Sequence, residues 1–312
     1  MKMTPFKNIL FVVEETSGQA SAIARAVSMA EKDQAILTVI EVISPVPAAY
    51  LSETVKYHKQ KLESLITPYQ NRLKIQIDVL SGAIFLEVIR SVLRNAYDLV
   101  IKPAENSDVM KRLFGSVDMH LLRKCPCPVW LMKPPEKPNY NCVLAAVDFD
   151  PLQLDASEQA FNNEIIDRAS ALALSDAASL HLVHAWEAYA ERAMLAHGDI
   201  LNESVASHIQ KQALMHQKEL YRLGEALCSR IGNNAYNKLS PSFHLPKGPA
   251  KKVIAPLATE LQADLVVMGT VARTGISGLI IGNTAEAILN QLTCSVLAIK
   301  PPGFKTPVTV DP

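Results

Sequence analysis

The chain of 312 residues is poor in the features that usually reveal an activity. It has five cysteines, an odd and sparse number that argues against a disulfide framework and for free thiols in a reducing cytoplasm. Neither sign of charge is in excess. Lys plus Arg and Asp plus Glu both number 31, for a formal net charge of zero, so composition supplies no basic face for nucleic acid or an anionic membrane. No apolar run approaches the roughly 18–20 residues of a membrane span. The first apolar stretch, Ile9–Val13, is followed at once by Glu14 and Glu15, as in a first strand rather than a signal peptide. Twelve glycines and 19 prolines form no low-complexity tract, so disorder is not the theme. The sequence has no Gly-x-Gly-x-x-Gly after its first strand, no Gly-x-x-x-x-Gly-Lys-Ser/Thr loop and no Gly-x-Ser-x-Gly elbow. Dinucleotide enzymes, P-loop ATPases and elbow-type hydrolases are thereby disfavoured, and no catalytic or metal-binding set is expected.

What the chain does contain is a repeat. Asn8-Ile-Leu-Phe-Val-Val-Glu14 resembles Cys142-Val-Leu-Ala-Ala-Val-Asp148 at an offset of 134. Asp98-Leu-Val-Ile matches Asp264-Leu-Val-Val at 166, and Cys127-Pro-Val-Trp-Leu-Met-Lys-Pro-Pro135 matches Cys294-Ser-Val-Leu-Ala-Ile-Lys-Pro-Pro302 at 167. Three matches in one order indicate two copies of one domain. The growing offset gives the second copy about 33 extra residues, about 22 of them in a helical region around 188–229. The proline-rich segment 133–139 reads as a linker, dividing the chain into domains 1–134 and 135–312.

Each copy alternates apolar runs with helical spacing. Strands are expected at Ile9–Val13, Ala35–Val42, Ile75–Val79, Leu99–Ile101 and Val129–Met132. Between them fall helices over Ala22–Ala30, Glu53–Leu73 with a break at Pro68, Ile84–Arg94 and Val117–Leu122. The second copy places strands at Val143–Val147, Leu180–His184, Ser242–Leu245, Leu265–Val267 and Val296–Ile299. This is an α/β pattern of parallel strands with helical crossovers. Ligands of such sheets sit at the carboxyl ends of the strands, where the strand order reverses. That singles out the residues after the first and fourth strands, Asp148 and Gly269 in the second copy.

The segment from Gly269 to Glu286 is rich in glycine and runs through Arg273 to Gly282, Asn283 and Thr284, which open an expected helix, Ala285–Leu292. Asn or Thr there would cap the helix, whose free N–H groups can meet an anion. A phosphate cradle and a plain tight strand-to-helix connection both fit these residues. With Gly-Thr-Val-x-Arg-Thr-Gly and Gly-Asn-Thr-Ala-Glu in place, the whole chain resembles tandem members of the universal stress protein family. That resemblance implies two doubly wound domains, each a five-stranded parallel sheet of order 3-2-1-4-5 flanked by helices. It implies a cytoplasmic stress-response protein that binds or signals rather than catalyses. It also implies a pseudo-dimer formed through the fifth strands, Val129–Met132 and Val296–Ile299, with a homodimer as a further partner state.

The family's nucleotide-binding members carry Gly, two residues, Gly, nine residues, then Gly-Ser or Gly-Thr. Here the first and third glycines are Gly269 and Gly282, the second is Ala272, and the hydroxyl residue is Asn283. Asp148 matches an Asp that meets the nucleoside in those members. The second copy is therefore the candidate site for ATP or a related nucleotide, formed by Asp148, Gly269, Ala272, Arg273, Gly282, Asn283 and Thr284. The first copy departs further: Pro103 and Asn106 replace glycines, Glu14 replaces the Asp, and Gly115-Ser116 remains as a vestige that suits a helix cap. Other readings stay open. Ile276–Ile281 packs into the core or lines an apolar, lipid-like ligand groove, and the extra helical region roofs that groove or serves a partner, as in an interaction scaffold. Weak ATP hydrolysis ranks lowest. His181 and His184 are expected on opposite faces of a strand, His208 and His216 at the surface, and Cys125 and Cys127 as packing residues.

Overall fold

Ile9, Leu10, Phe11 and Val12 are completely buried, as a run without polar alternation requires of a strand covered on both faces. A computed structural model of the chain describes residues 5–14, 19–105, 116–153, 155–188, 202–270 and 282–310, the side chains of 202–204 apart. The run forms β1 (Asn8–Val12). It is followed by α1 (Gln19–Asp33), β2 (Ile36–Ile43), α2 (Ala48–Ile66), β3 (Ile75–Ser81), α3 (Ile84–Asn95), β4 (Leu99–Pro103), α4 (Ser116–Lys124) and β5 (Val129–Met132). The chain continues through β6 (Cys142–Ala146), α5 (Ala156–Asp176), β7 (Ser179–Val183), α6 (Asn202–Ile231), α7 (Asn233–Leu239), β8 (Ser242–His244) and α8 (Ala250–Glu260). It ends with β9 (Leu265–Gly269), α9 (Asn283–Leu289) and β10 (Ser295–Ile299).

The contacts divide the chain into two compact units, one of residues 141–267 and one that combines 4–140 with 268–312. In the two-segment unit, β1 pairs in parallel with β2 and β4, β2 with β3, and β4 with β5. This gives the expected order 3-2-1-4-5. The edge that β5 would expose is taken by β10, which runs antiparallel with Val129 opposite Ala298, Trp130 opposite Leu297 and Leu131 opposite Val296. Pairing removes a free apolar edge, which would otherwise template association. Trp130 is fully buried beside Tyr140, and the Arg25 guanidinium lies 4.6 Å from the Tyr140 ring centre. The helix expected over Glu53–Leu73 begins earlier, at Ala48, and ends at Ile66, where a 3-10 turn, Thr67–Tyr69, takes over. Pro68 sits in that turn and has no N–H to extend the α-helical ladder.

In the unit of residues 141–267, β6 pairs in parallel with β7, and β7 with β8. Asp155 caps α5 by accepting from the N–H groups of Ser157 and Glu158, in the usual manner of an N-cap carboxylate. The 30-residue α6 forms the described part of the extra helical region; residues 189–201 lie outside the described residues. Gly224 lets α6 approach β8, because a Cβ there would stand 2.5 Å from the Phe243 ring.

The repeated Asp-Leu-Val of the sequence has a structural reason. Asp98 accepts from the backbone N–H groups of Lys7 and Asn8 at 2.7 and 3.1 Å, and its own N–H donates to Asn8. Asp264 does the same for Asn141 and Cys142 at 2.6 and 3.2 Å, with its N–H donating to Cys142. In each copy one carboxylate satisfies the backbone that opens the first strand. Charge-assisted bonds of this kind are the stronger ones.

Candidate functional site

In the first copy, β1 delivers Glu14 and β4 delivers Lys102 to the carboxyl end of the sheet. The lysine is completely buried, inside a strand whose other members are buried too. Its ammonium lies 2.5 Å from Glu14 and 2.8 Å from Asp118, which stands in the first turn of α4, and it also donates to the Pro103 carbonyl. Asp118 accepts the Glu105 N–H with its other oxygen. Burial alone would pull the Lys102 ammonium down, but the charges of Asp118 and then Glu14 outweigh it and hold it above its ordinary value. Burial pushes the Glu105 carboxyl up, with Asp118 adding to the shift and Lys102 opposing it. So the position the sequence marked as vestigial is filled by an internal ion triad. Ser116 opens α4, and Gly115 and Asn106 lie outside the described residues.

The second copy differs at each of these points. The residue aligned with Lys102 is Met268, which is buried and uncharged. Asp148 follows β6 with its side chain exposed. Its backbone is clamped by Asn162 of α5: the Asn162 carboxamide oxygen accepts the Asp148 N–H at 3.1 Å, and its NH2 donates to the Asp148 carbonyl at 2.8 Å. Asp148 belongs to the unit of residues 141–267, whereas Gly269 and Gly282–Thr284 belong to the two-segment unit. There the Gly282 N–H donates to the Thr270 carbonyl at 3.0 Å, joining the two ends of the glycine-rich segment. Thr270 is buried, and its hydroxyl accepts from the Lys300 ammonium at 2.8 Å. The expected cap is corrected. The N-cap of α9 is Gly282, which has no side-chain acceptor, while Asn283 and Thr284 are its first two helical residues and face solvent. The helix also ends at Leu289 rather than Leu292. Ala272, Arg273 and Ile276–Ile281 lie outside the described residues.

His216, expected at the surface, is a second correction. His216 pairs with His184, their ring nitrogens 2.9 Å apart. His184 is buried, stacks on Phe149 at 3.7 Å between ring centres, and places Nδ1 3.3 Å from the Val147 carbonyl. A donor to that carbonyl leaves Nε2 as acceptor, so His216 Nδ1–H is the donor between the rings. Trp186 completes the stack, 5.3 Å from His216. Burial pushes His216 down, with Asp150 opposing. His181 pairs separately with His244 at 2.9 Å. These partners are 32 and 63 residues apart in sequence, so no local spacing announces them. Among the described residues, no group of three or more His, Cys, Asp or Glu side chains is placed to hold a metal ion, and no helix is long and apolar enough to cross a membrane.

The fold recurs in known proteins. A family model described as the universal stress protein family matches residues 5–133 and again 139–300. The chain belongs to the universal stress protein family. Universal stress protein E of Escherichia coli K12 is 34% identical over 233 residues, covering 73% of this chain and 68% of that protein. A universal stress protein E homolog of Haemophilus influenzae is 28% identical over 316 residues, covering 95% and 98%. Among solved structures, a functionally unknown protein of Pseudomonas aeruginosa PAO1 is similar with a TM-score of 0.71 and 25% identity, over 96% of this chain and 94% of that one. A universal stress protein from Archaeoglobus fulgidus shares the fold at a TM-score of 0.62 and 16% identity, over 94% and 98%.

Proposed function

We propose that this universal stress protein is a cytoplasmic binding and signalling protein rather than an enzyme, and that its second copy takes a nucleotide-type ligand. The observation that carries the reading is the contrast between the copies. Lys102 occupies Glu14 and Asp118 in the first, whereas the second has Met268 at the lysine position and an exposed, backbone-clamped Asp148. The first copy serves as scaffold. A second reading, an interaction scaffold without nucleotide, draws on α6, which exposes Leu214, Met215 and Tyr221.

Calorimetric titration with ATP–Mg²⁺ tests the proposal. One nucleotide per chain is expected in the parent. A charge-assisted hydrogen bond contributes about 1.5–3 kcal/mol, so Asp148→Ala should weaken binding by roughly tenfold or more, while Glu14→Gln should leave it unchanged. Binding by Ala272→Gly but not by the parent would mean that one methyl group has closed the site, and would favour the scaffold. Binding by neither would remove the nucleotide reading.

A further inference from the structure

Residues 301–310, which follow β10, join no helix or strand. Their burial is nevertheless patterned. Phe304, Thr306, Val308 and Val310 are half-buried, while Lys305, Pro307 and Thr309 between them are exposed. A period of two means that one row of side chains meets a surface and the other meets water. Two arginines of α3 supply the polar part of that surface. Arg94 donates to the Val310 carbonyl at 3.1 Å, and the Arg90 Nε–H donates to the Thr309 carbonyl at 3.4 Å. Glu87, one turn back on α3, accepts from Arg90 at 2.7 Å and so presets its direction. The segment and α3 belong to the same two-segment unit.

The near end of the segment is a turn. The Phe304 N–H donates to the Pro301 carbonyl at 3.1 Å, and Gly303 has a φ of 79°, with nothing within 4 Å of where a Cβ would stand. A left-handed glycine in open space is free to change conformation, so it suits a hinge. Just past it, the Phe304 ring lies 4.9 Å from the Lys300 ammonium, a cation–π contact. Further on, the Val308 N–H donates to the Thr306 hydroxyl of the same segment. The segment is held by arginine side chains and by packing, with no place in a backbone ladder.

We infer that residues 304–310 form a detachable strap bound in cis, and that the face of α3 around Arg90 and Arg94 is a peptide-binding surface whose occupant is this segment. A strap tethered through one turn meets its site at an effective concentration of about 1 mM. Contacts that give a dissociation constant of about 0.1 mM would then keep it docked roughly nine-tenths of the time. Modest contacts on a short tether therefore make an element that opens and closes. Opening bares Arg90 and Arg94 and takes Phe304 away from Lys300, whose ammonium also donates to the Thr270 hydroxyl at 2.8 Å. The strap thus reaches, through one lysine, the residue that anchors the glycine-rich segment.

The test uses the full chain carrying Val308→Asp and Val310→Asp, which puts two charges where the strap meets the surface and detaches it. A synthetic peptide of residues 304–312 is titrated in, and binding is read from broadening of the peptide's methyl resonances. The peptide should bind this variant, and should bind the parent about tenfold more weakly, because the parent's own strap competes. A peptide in which each half-buried residue trades places with its exposed neighbour should not bind. In the otherwise unaltered full chain, Arg90→Ala with Arg94→Ala should speed trypsin cleavage between Lys305 and Thr306 several-fold, read as release of the peptide from Thr306 onward; this measurement stands even where the Asp variant does not fold. The proposal is overturned if the peptide binds neither chain, if it binds both alike, if the exchanged peptide binds as well, or if the arginine changes leave the cleavage rate at Lys305 unaltered.

Discussion

Lys102 shows how one residue can fill the carboxyl end of a sheet with an internal ion group. Its aliphatic stem occupies a strand position, and its ammonium is spent on Glu14 and Asp118. Removing one member of a buried ion group costs more than the group contributes, because the others stay buried and uncompensated. Lys102→Met, which copies Met268 of the second repeat, should therefore lower stability by about 3–5 kcal/mol, read as a shift in the urea midpoint. Adding Glu14→Gln and Asp118→Asn to it should recover most of that loss; a triple variant as unstable as the single one would show that the ion group is not the cause. The sequence made part of this legible. Glu14 and Pro103 stood out as departures from the family pattern, but Lys102 is a single charge in an apolar run, and nothing in the spacing joins it to a residue 16 positions later. The histidine stack was illegible for the same reason, since His184 and His216 meet only through the packing of α6.

At the level of elements, the central strands β1, β4, β5, β6, β9 and β10 were legible because burial on both faces leaves continuous apolar runs. Helix ends were less so. Glycine in the left-handed conformation is the usual stop signal, yet α3 and α5 end on Ala96 and Ala177, with φ of 52° and 55°, so the residues that stop these helices look like residues that continue them. The cap of α9 was misplaced because Asn283 and Thr284 are both good capping types, while the chain uses the glycine before them. Gly224 is a case where two effects oppose. Alanine would gain about 1 kcal/mol of helix propensity inside α6. The added methyl would meet Phe243 at 2.5 Å and the Tyr236 hydroxyl at 3.2 Å, and overpacking of this kind costs about 1–3 kcal/mol. Gly224→Ala should therefore be net destabilising, by up to about 2 kcal/mol. A denaturation midpoint at or above the parent's would mean that Phe243 moves aside at no cost.

For the molecule as a whole, the repeat was legible from three short matches, because each sits where the fold makes the same demand twice: a buried first strand, an Asp that anchors it and a final apolar strand. Contacts ignore that linear division in one respect. The last strand and α9 of the second repeat belong with the first repeat, and β10 covers β5. A polypeptide of residues 1–134 should accordingly self-associate through its open β5 edge, seen as a dimer or larger species by light scattering; a folded monomer would show that the edge needs no cover. The same feature has a meaning in time. About 160 residues separate Met132 from Ser295, so at about 5–20 residues per second a ribosome takes roughly 8–30 s to supply the missing strand. For that interval every nascent chain carries an adhesive edge, and any chain released early keeps it.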